Sequence, residues 1–372
     1  MLILRRATHM SRTGDQRGGL DGSPRVVVVD DSPFMRGLIG DLLADAGVAV
    51  VGEAGDGAEA LSVVAETRPD VVTMDVEMPG MGGLEAVERL MAETPTPVLM
   101  LSAHTDEGAA VTFEALDRGA VDFFAKPGGE VSTGVSREAD RLVKAVRSVA
   151  DADLDAATRG RDEPTPSPSR PAEPDAESDA GDLDGPLTVV IGASTGGPNA
   201  VERVMSALPM ADCRVLIVQH MPEAFTARFA DRLDAASAYD VREASDGARI
   251  GAGEALVARG GSHTRVDGYR AGRLRVKLDD DDSKSVTPAA DVAMRSAADV
   301  VDDPLVGVVL TGMGSDAAEG IRAMADAGAR TLAQSEDTCV IYGMPKRAVE
   351  TGGVDEVHDL DDVAGAIVGG EA

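Results

Sequence analysis

Short runs of β-branched residues alternate with amphipathic stretches along most of the chain, and one polar, proline-rich segment interrupts them. In the first half the pattern predicts strands at 25–29, 48–51, 71–74, 98–101 and 121–125. In the second half the clearest predicted strands are 187–191, 214–218, 307–310 and 330–333. Between them apolar residues recur at helical spacing, as in 57–66 and 139–149. Nearly continuous Val/Ile/Leu strands are covered on both faces, and their alternation with helices implies parallel sheets. The expected fold class is therefore α/β, with two doubly wound parallel-sheet domains. Between 151 and 184 the apolar periodicity vanishes, and the stretch holds eleven acidic residues, three arginines and five prolines. Such a segment cannot bury enough surface to fold and reads as an extended linker. The organisation expected is a disordered extension at 1–23, a first domain at 24–149, a linker at 150–185 and a second domain at 186–372.

Composition narrows the picture. With 43% hydrophobic but only 2% aromatic residues and no Trp, the cores must be built from Val, Ala, Leu, Ile and Met. The net charge of -30 repels nucleic acid and anionic membranes, so neither is an expected partner. Five of the 35 basic residues are Lys and the rest Arg; an acidic, Lys-poor surface suits multimolar salt and suggests a halophilic host. Cys213 and Cys339 lie in apolar runs and read as small core residues in a reducing cytosol. The first 23 residues contain too short an apolar run for a secretory signal, and Met10 is an alternative start. No apolar run is long enough to span a membrane, so a cytoplasmic location is expected.

Ligands of open α/β sheets bind beyond the carboxyl ends of the strands. In the first half those ends carry Asp30-Asp31, Asp75, Ser102 and Lys126. Clustered carboxylates repel unless a cation joins them, and hard oxygen donors suit Mg²⁺. A metal-neutralised carboxylate can attack a phosphoryl group, with the hydroxyl and the ammonium placed on its oxygens. Taken singly, an aspartate at a strand end is as readily a helix cap. "VVVVDDSPFMR", "VVTMDVEMPGMGGLE", "PVLMLSAHT" and "DFFAKPG" together resemble response-regulator receiver domains, which are flavodoxin-like, over 24–149. The resemblance implies Asp75 as phosphoacceptor, Asp30, Asp31 and Asp75 around Mg²⁺, and Ser102 and Lys126 on the phosphoryl group. It puts Phe123 at an aromatic switch position that is often Tyr.

The same reading of the second half finds Ser194 in "VVIGASTGGPNA", His220 in "VLIVQHMPEAFT" and Asp316 in "VVLTGMGSDAAEG". A hydroxyl, an imidazole and a carboxylate on one sheet rim are the parts of an acyl-transfer triad. Backbone amides near Ser194-Thr195 and in Gly312-Met313-Gly314 are candidate oxyanion donors. "GMGSDA" also matches G-x-G-x-x-A after a strand, which keeps a dinucleotide-binding oxidoreductase as the alternative. "IGASTGGP", "QHMPEAFTARFADRLD", "LTGMGSDAAEGI", "CVIYGMPKRAVE" and "LVARGGSH" resemble the catalytic domain of chemotaxis protein-glutamate methylesterases, the CheB family, with Arg259 where Pro is usual. That resemblance implies hydrolysis of glutamate γ-methyl esters on chemoreceptor helices, sometimes with glutamine deamidation, and no cofactor for the ester chemistry. It assigns Ser194 as nucleophile, His220 as base and Asp316 as its orienter, with Thr195 and Met313 beside the oxyanion. The implied partners are methyl-accepting chemoreceptors as substrate and a chemotaxis histidine kinase as phosphodonor.

Overall fold

The computed structural model describes residues 23–102, 106–126, 135–158, 186–281 and 284–369. The first region runs β1 (Arg25–Val29), α1 (Pro33–Asp45), β2 (Ala49–Ala54), α2 (Gly57–Thr67), β3 (Val71–Asp75), α3 (Gly83–Glu93), β4 (Val98–Ser102), α4 (Asp106–Arg118), β5 (Asp122–Ala125) and α5 (Val135–Ala150). Its sheet is parallel, in the order β2-β1-β3-β4-β5. Val26 to Val29 are fully buried because helices cover both faces. Local chemistry starts the helices. Ser32 caps α1 ahead of Pro33, while Asp56 accepts from Glu59 N at 2.9 Å and Glu59 accepts in return from Gly55 N at 2.7 Å.

Two differences from the sequence reading concern the boundary after this region. Helix α5 reaches Ala150, and a further short helix, α6 (Leu154–Thr158), lies within the stretch read as linker. Asp153 caps it by accepting from Ala156 N, and its own N–H donates to Val340 O at 3.0 Å. Five residues of helical sequence thus find a partner surface that composition does not reveal. Residues 159–185 of the expected linker and 1–22 of the expected extension lie outside the described residues.

The second region continues with β6 (Leu187–Ala193), α7 (Gly197–Ala207), β7 (Cys213–Gln219), α8 (Glu223–Ala236), β8 (Asp240–Glu243), β9 (Arg249–Ile250), β10 (Glu254–Val257), β11 (His263–Arg270) and β12 (Arg273–Asp279). It ends with α9 (Ala290–Val300), β13 (Leu305–Val309), α10 (Ala318–Asp326), β14 (Arg330–Gln334), α11 (Met344–Glu350), β15 (Glu356–His358) and α12 (Val363–Ile367). Seven strands form a parallel sheet in the order β15-β14-β13-β6-β7-β10-β8. A separate antiparallel sheet, β11-β12-β9, was not expected and packs Val266, Leu274 and Val276 against α9 and the main sheet. Cys213 and Cys339 are buried and free; Cys339 follows a 3₁₀ turn rather than lying in a strand.

The two regions meet through α4 and β5 on one side and α7 and α8 on the other. The chain has six Phe, and four of them cluster at this seam. Phe123 lies 4.5 Å from Phe225, and Phe113 stacks 5.9 Å from Phe229, centroid to centroid. Arg232 of α8 spans the seam, bonding Asp117 at 2.6 Å and Phe113 O at 3.3 Å while also holding Glu202. In a chain so poor in aromatics, spending most of its Phe here makes this contact a built one.

Candidate active site

Each sheet places its polar cluster where the strand order reverses. In the first, chain progress from β1 runs outward to β2 and then back across to β3, so the crevice opens between β1 and β3. Asp30 and Asp31 follow β1, and Asp75 ends β3. Carboxylate oxygens of these three lie within 4.8 Å of one another. Lys126 Nζ sits 2.8 Å from both Asp30 Oδ2 and Asp75 Oδ1. Burial pushes the Asp75 carboxyl above the usual carboxylate range, and Lys126 only partly offsets it. Burial also pulls the Lys126 ammonium down, but its two carboxylate partners together hold it above the ordinary lysine range. A crevice of about 700 Å³ opens beside Asp31, Asp75, Ser102 and Lys126. An all-oxygen donor set with excess negative charge fits a hard divalent cation.

In the second sheet the reversal falls between β6 and β13, with β7 on the other flank of β6. Ser194 follows β6, His220 follows β7, and Asp316 lies in the loop after β13. His220 Nε2 lies 2.7 Å from Asp316 Oδ2. Asp316 also accepts from Ala290 N at 2.6 Å and Asp291 N at 3.1 Å, the first amides of α9. Burial tends to raise its pKa, but His220 and the two amides outweigh burial and hold Asp316 below the usual carboxylate range. With Nε2 turned to the acid, Nδ1 is the ring atom left for Ser194. Among the described residues no hydrogen bond joins the Ser194 hydroxyl to the imidazole. Their backbones are nevertheless locked side by side: His220 N donates to Ala193 O at 3.1 Å, and Gln219 Nε2 donates to Ser194 O at 2.9 Å.

The loop around Ser194 is tight. Gly196 adopts φ +74°, and Gly197 N returns to Ser194 O at 2.7 Å, which starts α7 directly behind the serine. A Cβ on Gly197 would meet Ala193 Cβ at 2.9 Å and collide with the Gln219 amide. One expectation needs correcting. Gly312 N is not free for an oxyanion, because it donates to Ile341 O at 3.1 Å. The amides of Thr195, Met313 and Gly314 have no acceptor among the described residues, and the Met313 side chain is 40% exposed.

One residue at this site was not singled out from sequence. Asp122, at the start of β5, reaches across the seam to the Thr195 hydroxyl and into the field of His220. Burial raises its carboxyl to about 6, against the opposing effects of Phe123 N–H, Thr195 and His220. Its only sequence signal was its place beside Phe123; that it faces a serine loop seventy residues away is a property of domain docking.

Comparisons with known proteins follow the same division of the chain. Residues 189–367 match the model of the CheB methylesterase family, and residues 26–132 match that of the response regulator receiver domain. The chain is 58% identical over 358 residues to a protein-glutamate methylesterase/protein-glutamine glutaminase of Haloarcula marismortui, covering 92% of this chain and 96% of that protein. A namesake of Halobacterium salinarum is 57% identical with the same coverage, and one of Nitratidesulfovibrio vulgaris is 43% identical, covering 93% of this chain and 98% of its own. Among solved structures, the catalytic domain of Thermotoga maritima CheB methylesterase aligns at 34% identity, 50% of this chain and 98% of that one, with a TM-score of 0.47.

Proposed function

The chain belongs to the CheB methylesterase family and carries that family's receiver, and from this premise we propose that Ser194, His220 and Asp316 perform its ester hydrolysis under control of Asp75 phosphorylation. It is a protein-glutamate methylesterase, and the oxidoreductase alternative has no support. The observation that carries the assignment of residues is the 2.7 Å His220–Asp316 contact, one strand away from a serine at the head of a helix.

In the proposed cycle, His220 takes the Ser194 proton as Oγ attacks the ester carbonyl of a receptor glutamate. Asp316 holds the ring and stabilises the imidazolium that forms. The amides of Thr195 and Met313 receive the oxyanion, helped by the positive end of α7. His220 then returns the proton to methanol as it leaves, and water cleaves the glutamyl-serine ester by the same steps. On a glutamine side chain the identical chemistry releases ammonia, which is the reading for deamidation.

Asp30, Asp31 and Asp75 would hold Mg²⁺, whose charge offsets that of the incoming phosphoryl group. Ser102 and Lys126 would bind the phosphoryl oxygens. A chemotaxis histidine kinase is the phosphodonor in this reading, and methyl-accepting chemoreceptors are the substrate, reached from the cytoplasm. Among the described residues no helix is long and apolar enough to cross a membrane. In this reading the receiver, whose Asp122 reaches Thr195, restricts access to the site in the unphosphorylated chain. The test is methanol release from methylated receptor membranes, with and without a small-molecule phosphodonor. A Ser194→Ala protein that still releases methanol at the wild-type rate ends the reading.

A further inference from the structure

The triad's acid is held by a helix that lacks its own cap. Helix α9 begins at Ala290 behind Ala289, and neither residue has a side chain able to receive the helix's first amides. Two outside groups receive them instead. Asp316 accepts from Ala290 N and Asp291 N, and His263 Nδ1 accepts from Ala289 N at 3.1 Å. His263 is completely buried. Because Nδ1 accepts a backbone N–H, it must present its lone pair there, which puts the neutral ring's proton on Nε2.

The loop that leads into His263, the first residue of β11, is also fastened at the other side of the triad. It runs between β10 and β11, and Arg259 pairs with Glu223 at the start of α8, three residues after His220. Gly260 N donates to Thr226 Oγ1 at 3.3 Å in the same helix turn. Only glycine fits at 260, since a Cβ there would stand 2.6 Å from Glu223 Cα. A single loop therefore grips the helix that follows the base and the helix that holds the acid. Arg259, which departs from the usual residue of "LVARGGSH", supplies one of the grips.

We infer that His263 is a positioning residue for the triad, keeping the α9 amides on Asp316 and so fixing the carboxylate that orients His220. This rests on the triad reading above. If Ala289 is released, the first turn of α9 can swing from Asp316, and the carboxylate loses the two donors that hold its plane toward His220. A misplacement of about 1 Å at a reacting centre costs on the order of 10²-fold in rate.

The test uses the full-length protein and methylated receptor membranes. His263→Leu removes the acceptor, whereas His263→Asn keeps a carbonyl oxygen at the position of Nδ1. The expected result is a kcat lower by ~10–100-fold for the Leu variant with KM unchanged, and recovery of most of that loss in the Asn variant. In an Asp316→Ala background the Leu substitution should cost less than about twofold more, because His263 acts only through Asp316. An equal loss in both backgrounds, wild-type kcat in His263→Leu, or an Asn variant no better than Leu at equal melting temperature each overturns the inference. Should the Leu variant fail to fold, His263→Gln, whose amide oxygen falls at the position of Nε2 rather than Nδ1, takes its place, and equal kcat in the Gln and Asn variants overturns the inference. Asp316→Ala alone serves as the control on the premise: normal turnover there would refute the triad and with it the role given to His263, whereas the outcomes above refute that role with the triad intact.

Discussion

If the receiver covers the catalytic site as proposed, Asp122 makes that cover depend on pH. Its carboxyl is raised from 3.8 to about 6 where it meets Thr195 and His220, chiefly by burial. A shift of roughly two units corresponds to about 3 kcal/mol, an upper bound because the side chain keeps part of its exposure to water. The pKa is raised, so the closed arrangement favours the protonated carboxyl. That contribution to closure is fully present below about pH 4 and is lost as pH rises through about 6. Near neutrality the ionised carboxylate therefore works against the cover and leaves a basal leak. Asp122→Asn removes the charge and should tighten closure at pH 7. The assay is basal methanol release without phosphodonor for both proteins at the same salt. Taking the ratio of wild type to variant removes the pH effects that the two proteins have in common. With open and closed values of about 4 and 6, the ratio should rise by up to about tenfold between pH 5 and 7 while the closed form dominates. A flat ratio, or an Asn variant more active than wild type at pH 7, refutes the argument.

Three further outcomes are expected. Ser194→Ala and His220→Ala should each lower turnover by up to ~10⁶-fold and Asp316→Ala somewhat less, since triad members act as a unit; single-turnover methanol release measures this. Asp75→Ala should take no label from a small-molecule phosphodonor, while the wild type should do so only with Mg²⁺ present, and undiminished labelling would move the acceptor elsewhere. Charge repulsion behind a net -30 is screened within ~3 Å at 1 M salt but extends ~10 Å at 0.1 M, so the melting temperature should climb between 0.1 M and 3 M KCl; no change would refute the halophilic reading.

Much of this molecule was legible because parallel strands announce themselves. The buried Val runs of β1 and β3 and the acids at their ends are local signals, and so are Ser194, His220 and Asp316 just past β6, β7 and β13. The antiparallel sheet carries a weaker signal: "HTRVDGYR" and "RLRVKLD" do alternate, but their polar halves dilute the apolar pattern. Asp122 and His263 could not have been found this way. Each acts through a contact between segments far apart in sequence, and the partner in each case is a hydroxyl or an amide of no special composition.

The position of Asp122 bears on how one domain informs the other. Strand β5 is four residues long, so its ends are separated by only about 10 Å. At one end Asp122 and Phe123 meet Thr195 and Phe225 across the seam. Just past the other end, Lys126 bridges Asp30 and Asp75. In the proposed cycle a phosphoryl group on Asp75 would bring new oxygens to Lys126, in competition with its present carboxylate contacts. Any adjustment of Lys126 is passed to a strand too short to absorb it and pinned on one side only by β4. The seam it feeds holds four packed rings and the Arg232 bridge, which tolerate sliding poorly because packed rings and a two-sided ion pair lose contact together. In the proposed control, phosphorylation of Asp75 need only bias a docked surface whose nearest residue, Phe123, is three positions from Lys126.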